Sequence, residues 1–148
     1  MSKKVVLAFS GGLDTSFCVP YLKEKGYEVH TVMVNTGGFS EEEEKAIEAR
    51  ALHLGAASHK NVNAVETYYS KGIKYLIYGN ILKNATYPLS VSSERVFQAL
   101  EVLKHVKEIG ADAVAHGSTG AGNDQVRFDI VFEVLAPGVE IIAPVREN

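Results

Sequence analysis

The sequence predicts an α/β fold, namely a Rossmann-like, doubly wound, parallel five-stranded sheet with helices on both faces. Short apolar runs alternate along the chain with longer segments of helical periodicity, a rhythm typical of βαβ units. The first apolar run, residues 5–9, leads directly into a glycine-rich turn. The chain of 148 residues is about one domain long, so we expect residues 1–148 to form one domain.

Each element is assigned from its apolar pattern and from the turn-forming residues around it. The strands are predicted at residues 5–9, 29–34, 57–62, 112–115 and 140–143. The helices are predicted at residues 16–25, 40–54, 64–77, 92–109 and 125–135. Ser40 with Glu43 three residues later predicts a capping box at the start of the second helix. Pro20 lies inside the first helix and is expected to bend it.

The composition excludes several classes of protein. Hydrophobic residues make up 46% and charged residues 22% of the chain, and the net charge of −3 provides no basic field for nucleic acid. No apolar run approaches 18 residues, and the first residues lead straight into a strand. We therefore expect no nucleic-acid partner, no membrane association and a cytoplasmic location. The single cysteine, Cys18, is expected to be a small buried thiol.

Residues 10–16, Ser-Gly-Gly-Leu-Asp-Thr-Ser, join the first strand to the first helix. The glycines allow a tight turn and close approach of a ligand, and the hydroxyl groups supply short donors. The helix behind them adds free N–H groups and the positive end of its dipole. The loop therefore predicts a polyphosphate site, with an ordinary βα turn as the alternative. It matches neither a Walker A loop nor a dinucleotide fingerprint. It resembles the PP-loop of ATP pyrophosphatases, which cleave ATP between the α- and β-phosphates.

A second glycine-rich segment, residues 116–128, follows the predicted fourth strand and opens a helix. In a parallel α/β sheet ligands bind where the winding direction reverses, so we expect this loop and the first one to face one crevice. Its amide, carboxylate and guanidinium groups suit the charged groups of an amino acid; they belong to Asn123, Asp124 and Arg127. The alternative is a turn with Asn123 or Asp124 as the helix cap.

Residues 87–95 lie between these loops and combine Tyr87, Pro88 and a run of serines. Pro88 ends any preceding helix, and the serines can start the next one. A functional interpretation is a site for a second small substrate at Tyr87 and Ser92, with Arg95 reaching an anion. The alternative is a serine-rich helix cap.

Other conspicuous residues are assigned to structure. The acidic run at residues 41–44 is expected to be a solvated helix start and not a metal site. Four tyrosines are expected to be half-buried rings of an amphipathic helix, in the core or at an interface: Tyr68, Tyr69, Tyr75 and Tyr78. The scattered histidines have no metal-ligand spacing, and no metal site is predicted from them.

These three segments, together with Ile142-Ala-Pro-Val-Arg146, resemble argininosuccinate synthase in order and spacing over essentially the whole chain. The resemblance implies a nucleotide-binding PP-loop domain with an adenine nucleotide alpha hydrolase-like fold. It also implies an ATP-dependent, AMP-forming carbon–nitrogen ligase of arginine biosynthesis. In the family's reaction the ureido oxygen of citrulline attacks the α-phosphate of ATP, which gives a citrullyl-adenylate and pyrophosphate. The amine of aspartate then displaces AMP, and argininosuccinate results.

The resemblance implies a role for individual residues as well. ATP binding falls to Ala8, Phe9, Ser10, Gly11, Gly12, Leu13, Asp14, Thr15, Ser16, Val34 and Gly117. Aspartate binding falls to Thr119, Asn123 and Asp124, and citrulline binding to Tyr87, Ser92, Asn123 and Arg127. Asp14 and Asp124 are assigned to catalysis, with Asp14 expected to bind Mg²⁺ or to orient the loop. The expected cofactors are ATP and Mg²⁺ with the nucleotide, and the expected partners are the small-molecule substrates ATP, citrulline and aspartate.

The chain departs from the family's pattern in several places. Ala121 stands where a lysine is common, and Val96 stands where a proline often follows Arg95. The family's chain is more than twice as long, and its second domain completes the citrulline site and builds a tetramer. We expect that domain to be absent from this chain and the chain to be incomplete for catalysis. Two other hypotheses are a non-catalytic ATP-binding module of stress-protein type and a tRNA-modifying PP-loop enzyme, the latter disfavoured by the single cysteine and the negative charge.

Overall fold

The computed structural model describes residues 2–80, 82–83, 87–120 and 122–147. In chain order the elements are β1 (Lys4–Ala8), α1 (Leu13–Glu24), β2 (Glu28–Asn35), α2 (Glu41–His53), β3 (Ser58–Asn63), α3 (Val65–Tyr68), a π-helical turn (Tyr69–Ile73), α4 (Lys74–Gly79), β4 (Leu82–Lys83), β5 (Tyr87–Pro88), α5 (Ser90–Ile109), β6 (Ala113–His116), α6 (Asn123–Leu135), β7 (Glu140–Ile142) and α7 (Pro144–Glu147).

Within this part of the chain, five strands form a sheet in the order β3-β2-β1-β6-β7. Every neighbouring pair in it is parallel, and β1 lies between β2 and β6. The chain therefore winds outward from β1 to β3, returns to the other side of β1, and continues to β7. The strand order reverses between β1 and β6, which confirms the predicted doubly wound parallel sheet.

Both faces of the sheet are covered, as a parallel sheet requires. Val5 and Leu7 of β1 pack on one face into an apolar cluster with residues of α1 and α2. Val6 of the same strand points to the opposite face, where α5 and α6 supply the facing residues. Burial on both faces explains the unbroken apolar run of β1 from Val5 to Ala8. The first glycine loop begins at the carboxyl end of this strand.

Helix starts differ from the sequence prediction where glycine is the cap. The capping box of α2 is confirmed, because Ser40 Oγ accepts from the Glu43 N–H and the Glu43 carboxylate accepts from the Ser40 N–H. In contrast, α1 begins at Leu13 and α6 at Asn123, ahead of the predicted starts at residues 16 and 125. Their caps are Gly12 and Gly122 with extended backbone. A glycine cap carries no sequence signal as clear as serine or aspartate.

The predicted helix over residues 64–77 is interrupted by the π-helical turn. An extra residue in a π turn rotates all later side chains away from their α-helical positions. Tyr68, before the turn, is 7% exposed and contacts Phe97, whereas Tyr75 and Tyr78, after it, are 59% and 81% exposed. Tyr69 is the first residue of the turn, next to Tyr68 in the chain, and is 54% exposed. The prediction of half-buried rings is therefore wrong for these last three tyrosines.

The 20-residue helix α5 packs against the sheet through Ala99, Val102 and Val106. It starts at Ser90, ahead of the predicted Ser92, with Leu89 as the cap residue, so the alternative of a serine as the helix cap is wrong. Tyr68 fixes this start, because its hydroxyl donates to the Ser90 carbonyl. Among the described helices, none combines the length and the apolar character that crossing a lipid bilayer needs.

Candidate functional site

A cleft of about 650 Å³ opens at the carboxyl ends of β1, β2 and β6. Most of the residues assigned from the sequence line it: Ala8, Phe9, Ser10, Gly12, Leu13, Asp14, Thr15, Val34, Gly117, Thr119 and Asp124. Others are outside this lining: Gly11, Ser16, Ser92, Asn123 and Arg127. The backbone of Tyr87 belongs to β5, but its side chain and the whole of Ala121 lie outside the described part. The cleft thus joins the two glycine-rich loops.

The first loop is held by its own hydroxyl groups. Thr15 Oγ1 accepts from the Ser10 N–H at 3.4 Å and donates to the Gly12 carbonyl at 3.3 Å. Ser10 Oγ lies 3.3 Å from Thr15 Oγ1 and accepts from the Gly12 N–H at 3.4 Å. The first helical bond of α1 runs from the Ser16 N–H to the Gly12 carbonyl at 2.9 Å. The N–H groups of residues 13–15 precede that bond, and such groups at a helix start attract anions.

The second loop lies against the start of α1. A Cβ atom at Gly117 would come within 2.9 Å of Thr15 Cγ2 and 3.2 Å of the Thr15 backbone nitrogen. Because the backbone of a helix start cannot move easily, only glycine allows this approach. Gly117 therefore brings the end of β6 and its loop to the edge of the first loop, so that one ligand can touch both.

Helix α5 and helix α6 are joined by an ionic network on the wall of the cleft. The Asp124 carboxylate accepts from Arg95 Nε at 3.1 Å and from Arg127 Nη1 at 2.9 Å. Arg127 Nη2 also donates to Ser92 Oγ at 2.9 Å. The cap of α6 is Gly122, so the alternative of Asn123 or Asp124 as cap is wrong. Two guanidinium groups, a carboxylate and a hydroxyl from the two helices are thus gathered beside the second loop.

His116, at the end of β6, was left without a role by the sequence, and the structure puts it in the lining of the cleft. It is 1% exposed, its Nε2 lies 2.9 Å from Asp129 Oδ1, and its Nδ1 accepts from the Ser118 N–H at 3.2 Å. Burial lowers the pKa of His116, although its bond to Asp129 acts in the opposite direction. The neutral ring, protonated on Nε2, therefore holds the first turn of the second loop.

Asp129 connects that histidine to the rest of the loop. Its other oxygen accepts from Gln125 at 3.1 Å and from Arg146 at 3.3 Å. Burial raises the pKa of Asp129, but the hydrogen bonds from His116 and Gln125 outweigh it and the pKa is lowered. His116 and Asp129 are 13 positions apart in the chain. The one feature of the sequence that could have indicated this pair is a histidine at the end of an apolar strand.

Cys18 is fully buried, as predicted. Burial, with the nearby Asp14 charge, raises the pKa of its thiol to about 12. A thiol in this state is not a nucleophile at neutral pH, because the thiolate is the reactive form.

A Ser-Gly-Gly loop at the reversal of strand order, leading into a helix, defines an α/β domain of the PP-loop class. The sequence model of the arginosuccinate synthase N-terminal HUP domain matches residues 4–148. Argininosuccinate synthase from Xanthomonas campestris pv. campestris is 49% identical over 146 residues, covering 99% of this chain and 36% of that protein. The enzyme of the same name from Hyperthermus butylicus is 48% identical over 145 residues, covering 97% of this chain and 36% of that protein.

Solved structures agree on the fold. A 4-thiouridine synthetase solved with RNA and bound ATP has a TM-score of 0.70 at 19% identity, covering 98% of this chain and 37% of that one. NMN synthetase from Francisella tularensis has a TM-score of 0.62 at 8% identity, covering 80% of this chain and 46% of that one. The chain belongs to the argininosuccinate synthase N-terminal HUP domain family. It spans about a third of the length of the curated relatives it matches.

Proposed function

We propose that this chain binds ATP in the cleft between the two glycine-rich loops, with the polyphosphate on residues 10–16. The observation that carries the proposal is the convergence of both loops on one cleft, where Gly117 approaches Thr15. The N–H groups of residues 13–15 and the hydroxyl groups of Ser10 and Thr15 suit phosphate oxygens. Val34, at the end of β2, lines the same cleft and offers an apolar wall for the nucleoside.

We further propose that the chain supplies the nucleotide half of an ATP-dependent ligase that joins citrulline to aspartate. The citrulline ureido oxygen attacks the α-phosphorus, pyrophosphate leaves, and the aspartate amine then displaces AMP from the adenylate. Such chemistry depends on positioning and charge stabilisation more than on a protein nucleophile. The loop at residues 10–16 would hold the departing pyrophosphate.

In this proposal the amino acids lie near the network of Asp124 and Arg127. Asp124 would share its carboxylate between the two guanidinium groups and the ammonium group of aspartate, with Thr119 and Asn123 bonding to the rest of that substrate. Arg127 and Ser92, already joined at 2.9 Å, would face citrulline together with Tyr87. Asp14 and Asp124 are the two acidic residues that we assign to catalysis.

Mg²⁺ bound with the nucleotide fits the donors at the first loop. Asp14 lies in the first turn of α1 and lines the cleft beside the phosphate site. Mg²⁺ in nucleotide sites takes one or two carboxylates together with phosphate oxygens and water. Asp14 would hold the ion, and the ion would neutralise charge on the polyphosphate.

We infer that full catalysis needs the further polypeptide that the longer curated relatives have, because the proposed citrulline site draws only on Tyr87, Ser92, Asn123 and Arg127 of this domain. A tetramer of the longer protein and a cytoplasmic location are further parts of the proposal. A tRNA-thiolating function is disfavoured, because the buried Cys18 is not a nucleophile and the net charge is −3.

The test is a titration of ATP into the purified chain, with and without aspartate and citrulline, while pyrophosphate release is assayed. We expect saturable ATP binding with little or no turnover. Holding reactants in place contributes about 7 to 11 kcal/mol, so an incomplete clamp costs several orders of magnitude in rate. Absence of ATP binding would contradict the proposed site. Turnover within about tenfold of a median enzyme, roughly 10 per second, would contradict the proposed need for a second domain.

A further inference from the structure

Helix α2 contacts Gly11 of the first loop, and none of its residues lines the cleft. Gly11 is buried and has a φ of +74°, and a Cβ atom there would come within 2.9 Å of Ile47 Cγ1. Arg50, one helical turn further along α2, donates from Nη1 to the Gly11 carbonyl oxygen. Residues three positions apart share one face of a helix, so Ile47 and Arg50 contact the loop together.

The bond to Arg50 fixes the direction of a single peptide unit. None of the described peptide bonds is cis, and a trans peptide points its carbonyl and its N–H in opposite directions. With the Gly11 carbonyl held by Arg50, the Gly12 N–H points the other way, where it meets Ser10 Oγ at 3.4 Å. Gly12 and Ser10 both line the cleft, whereas Gly11 does not.

If this peptide turned over, a carbonyl oxygen would face the cleft in place of an N–H donor. Glycine on both sides of the peptide makes such a rotation sterically easy, because neither residue has a Cβ atom to oppose it. A carbonyl oxygen beside phosphate oxygens is repulsive, whereas an N–H is attractive. The orientation of the Gly11–Gly12 peptide therefore matters for phosphate binding in particular.

We propose that Arg50 is a positioning residue for the phosphate site: it holds the Gly11–Gly12 peptide with its N–H towards the cleft. Its guanidinium makes a charge-assisted bond, stronger than a neutral one, and it touches the loop from behind without entering the cleft. This inference rests on the proposed ATP site and adds a residue outside the glycine-rich segments to it.

The test compares Arg50→Met, Arg50→Lys and the control Lys45→Met for binding of ATP, inorganic pyrophosphate and adenosine. Arg50 and Lys45 are both exposed on α2, so neither change should unfold the chain, and both methionine variants remove one positive charge. We expect Arg50→Met to weaken ATP and pyrophosphate binding about tenfold, equivalent to about 1.4 kcal/mol, and to leave adenosine binding unchanged. Arg50→Lys should recover part of the loss, and Lys45→Met should bind all three ligands as the wild type does.

Equal ATP affinity of wild type and Arg50→Met would overturn the inference while leaving the proposed function intact. A parallel loss of adenosine binding would also overturn it, because that result indicates general damage to the cleft. The same conclusion would follow if Lys45→Met lost as much pyrophosphate affinity as Arg50→Met, since charge alone would then be responsible. If the wild-type chain bound neither ATP nor pyrophosphate, the proposed function itself would be contradicted, and the role of Arg50 with it.

Discussion

Replacing Gly12 by valine is expected to leave the fold of the first loop intact and to remove ATP binding at that loop. Gly12 has a φ of −73° and a ψ of 172°, an extended conformation that valine adopts readily. A Cβ atom at this position would meet Ser10 Oγ at 3.5 Å, which is an ordinary contact. The side chain would nevertheless stand at the start of α1, among the N–H groups proposed to hold phosphate. Gly12→Val should therefore fold and fail to bind ATP.

The valine should have a small effect on stability and a large effect on ATP affinity. Valine is a poorer helix cap than glycine, which lowers the free energy of unfolding by roughly 1 kcal/mol. Valine also restricts the unfolded chain, which raises the free energy of unfolding by about 0.4 to 1 kcal/mol. The melting temperature should thus change by at most about 4 °C in a domain of this size. Loss of two charge-assisted hydrogen bonds to phosphate costs about 3 to 6 kcal/mol. ATP affinity should accordingly fall at least about 100-fold.

The assay pairs a thermal melt with an ATP titration for wild type and Gly12→Val. A normal melting temperature with ATP affinity reduced at least about 100-fold is the expected result. A folded variant that binds ATP as tightly as the wild type would refute the reasoning, because the valine side chain would then occupy no part of the phosphate site.

Three further changes test other parts of the site. Gly117→Ala should lower the free energy of unfolding by about 1 to 3 kcal/mol, since its Cβ would press on Thr15; an unchanged urea midpoint would contradict this close approach. Asp124→Ala in a full-length family enzyme carrying this domain should raise the KM for aspartate more than that for ATP, and equal increases would indicate a structural role. Burial lowers the pKa of His116 below its ordinary 6.5, so the unfolded chain takes up the proton more readily than the folded chain. The free energy of unfolding should therefore be independent of His116 ionisation above about pH 6.5 and should fall at lower pH. His116→Asn should reduce that decline between pH 7.5 and 5.5 in urea melts, and an unaltered slope would argue against a neutral His116.

The sequence predicted the sheet and both loops well because their signals are local. Apolar runs such as residues 5–9 and 29–34 mark the buried strands, and glycine with hydroxyl residues at a strand end marks a ligand loop. The winding of the sheet then brings the loops after β1 and β6 together, so their shared cleft follows from topology.

Contacts between residues far apart in the chain could not be predicted from the sequence. Nothing near Arg50 indicates that it reaches Gly11, 39 positions earlier in the chain, because this contact exists only after α2 packs beside the loop. The bond between His116 and Asp129 depends in the same way on α6 lying against β6. The exposure of Tyr75 and Tyr78 was missed for a different reason, since a π turn changes the helical period for the residues after it without a sequence signature.

The most direct test of the ATP site is a ¹H–¹⁵N correlation spectrum of the chain recorded during an ATP titration. Amide signals report where a ligand binds without any change to the protein. We predict the largest shifts at residues 10–16 and at Gly117, with saturation on a single binding curve, and small shifts at β3 and β7. Saturable shifts confined to other surfaces, or no shifts at millimolar ATP, would contradict the account.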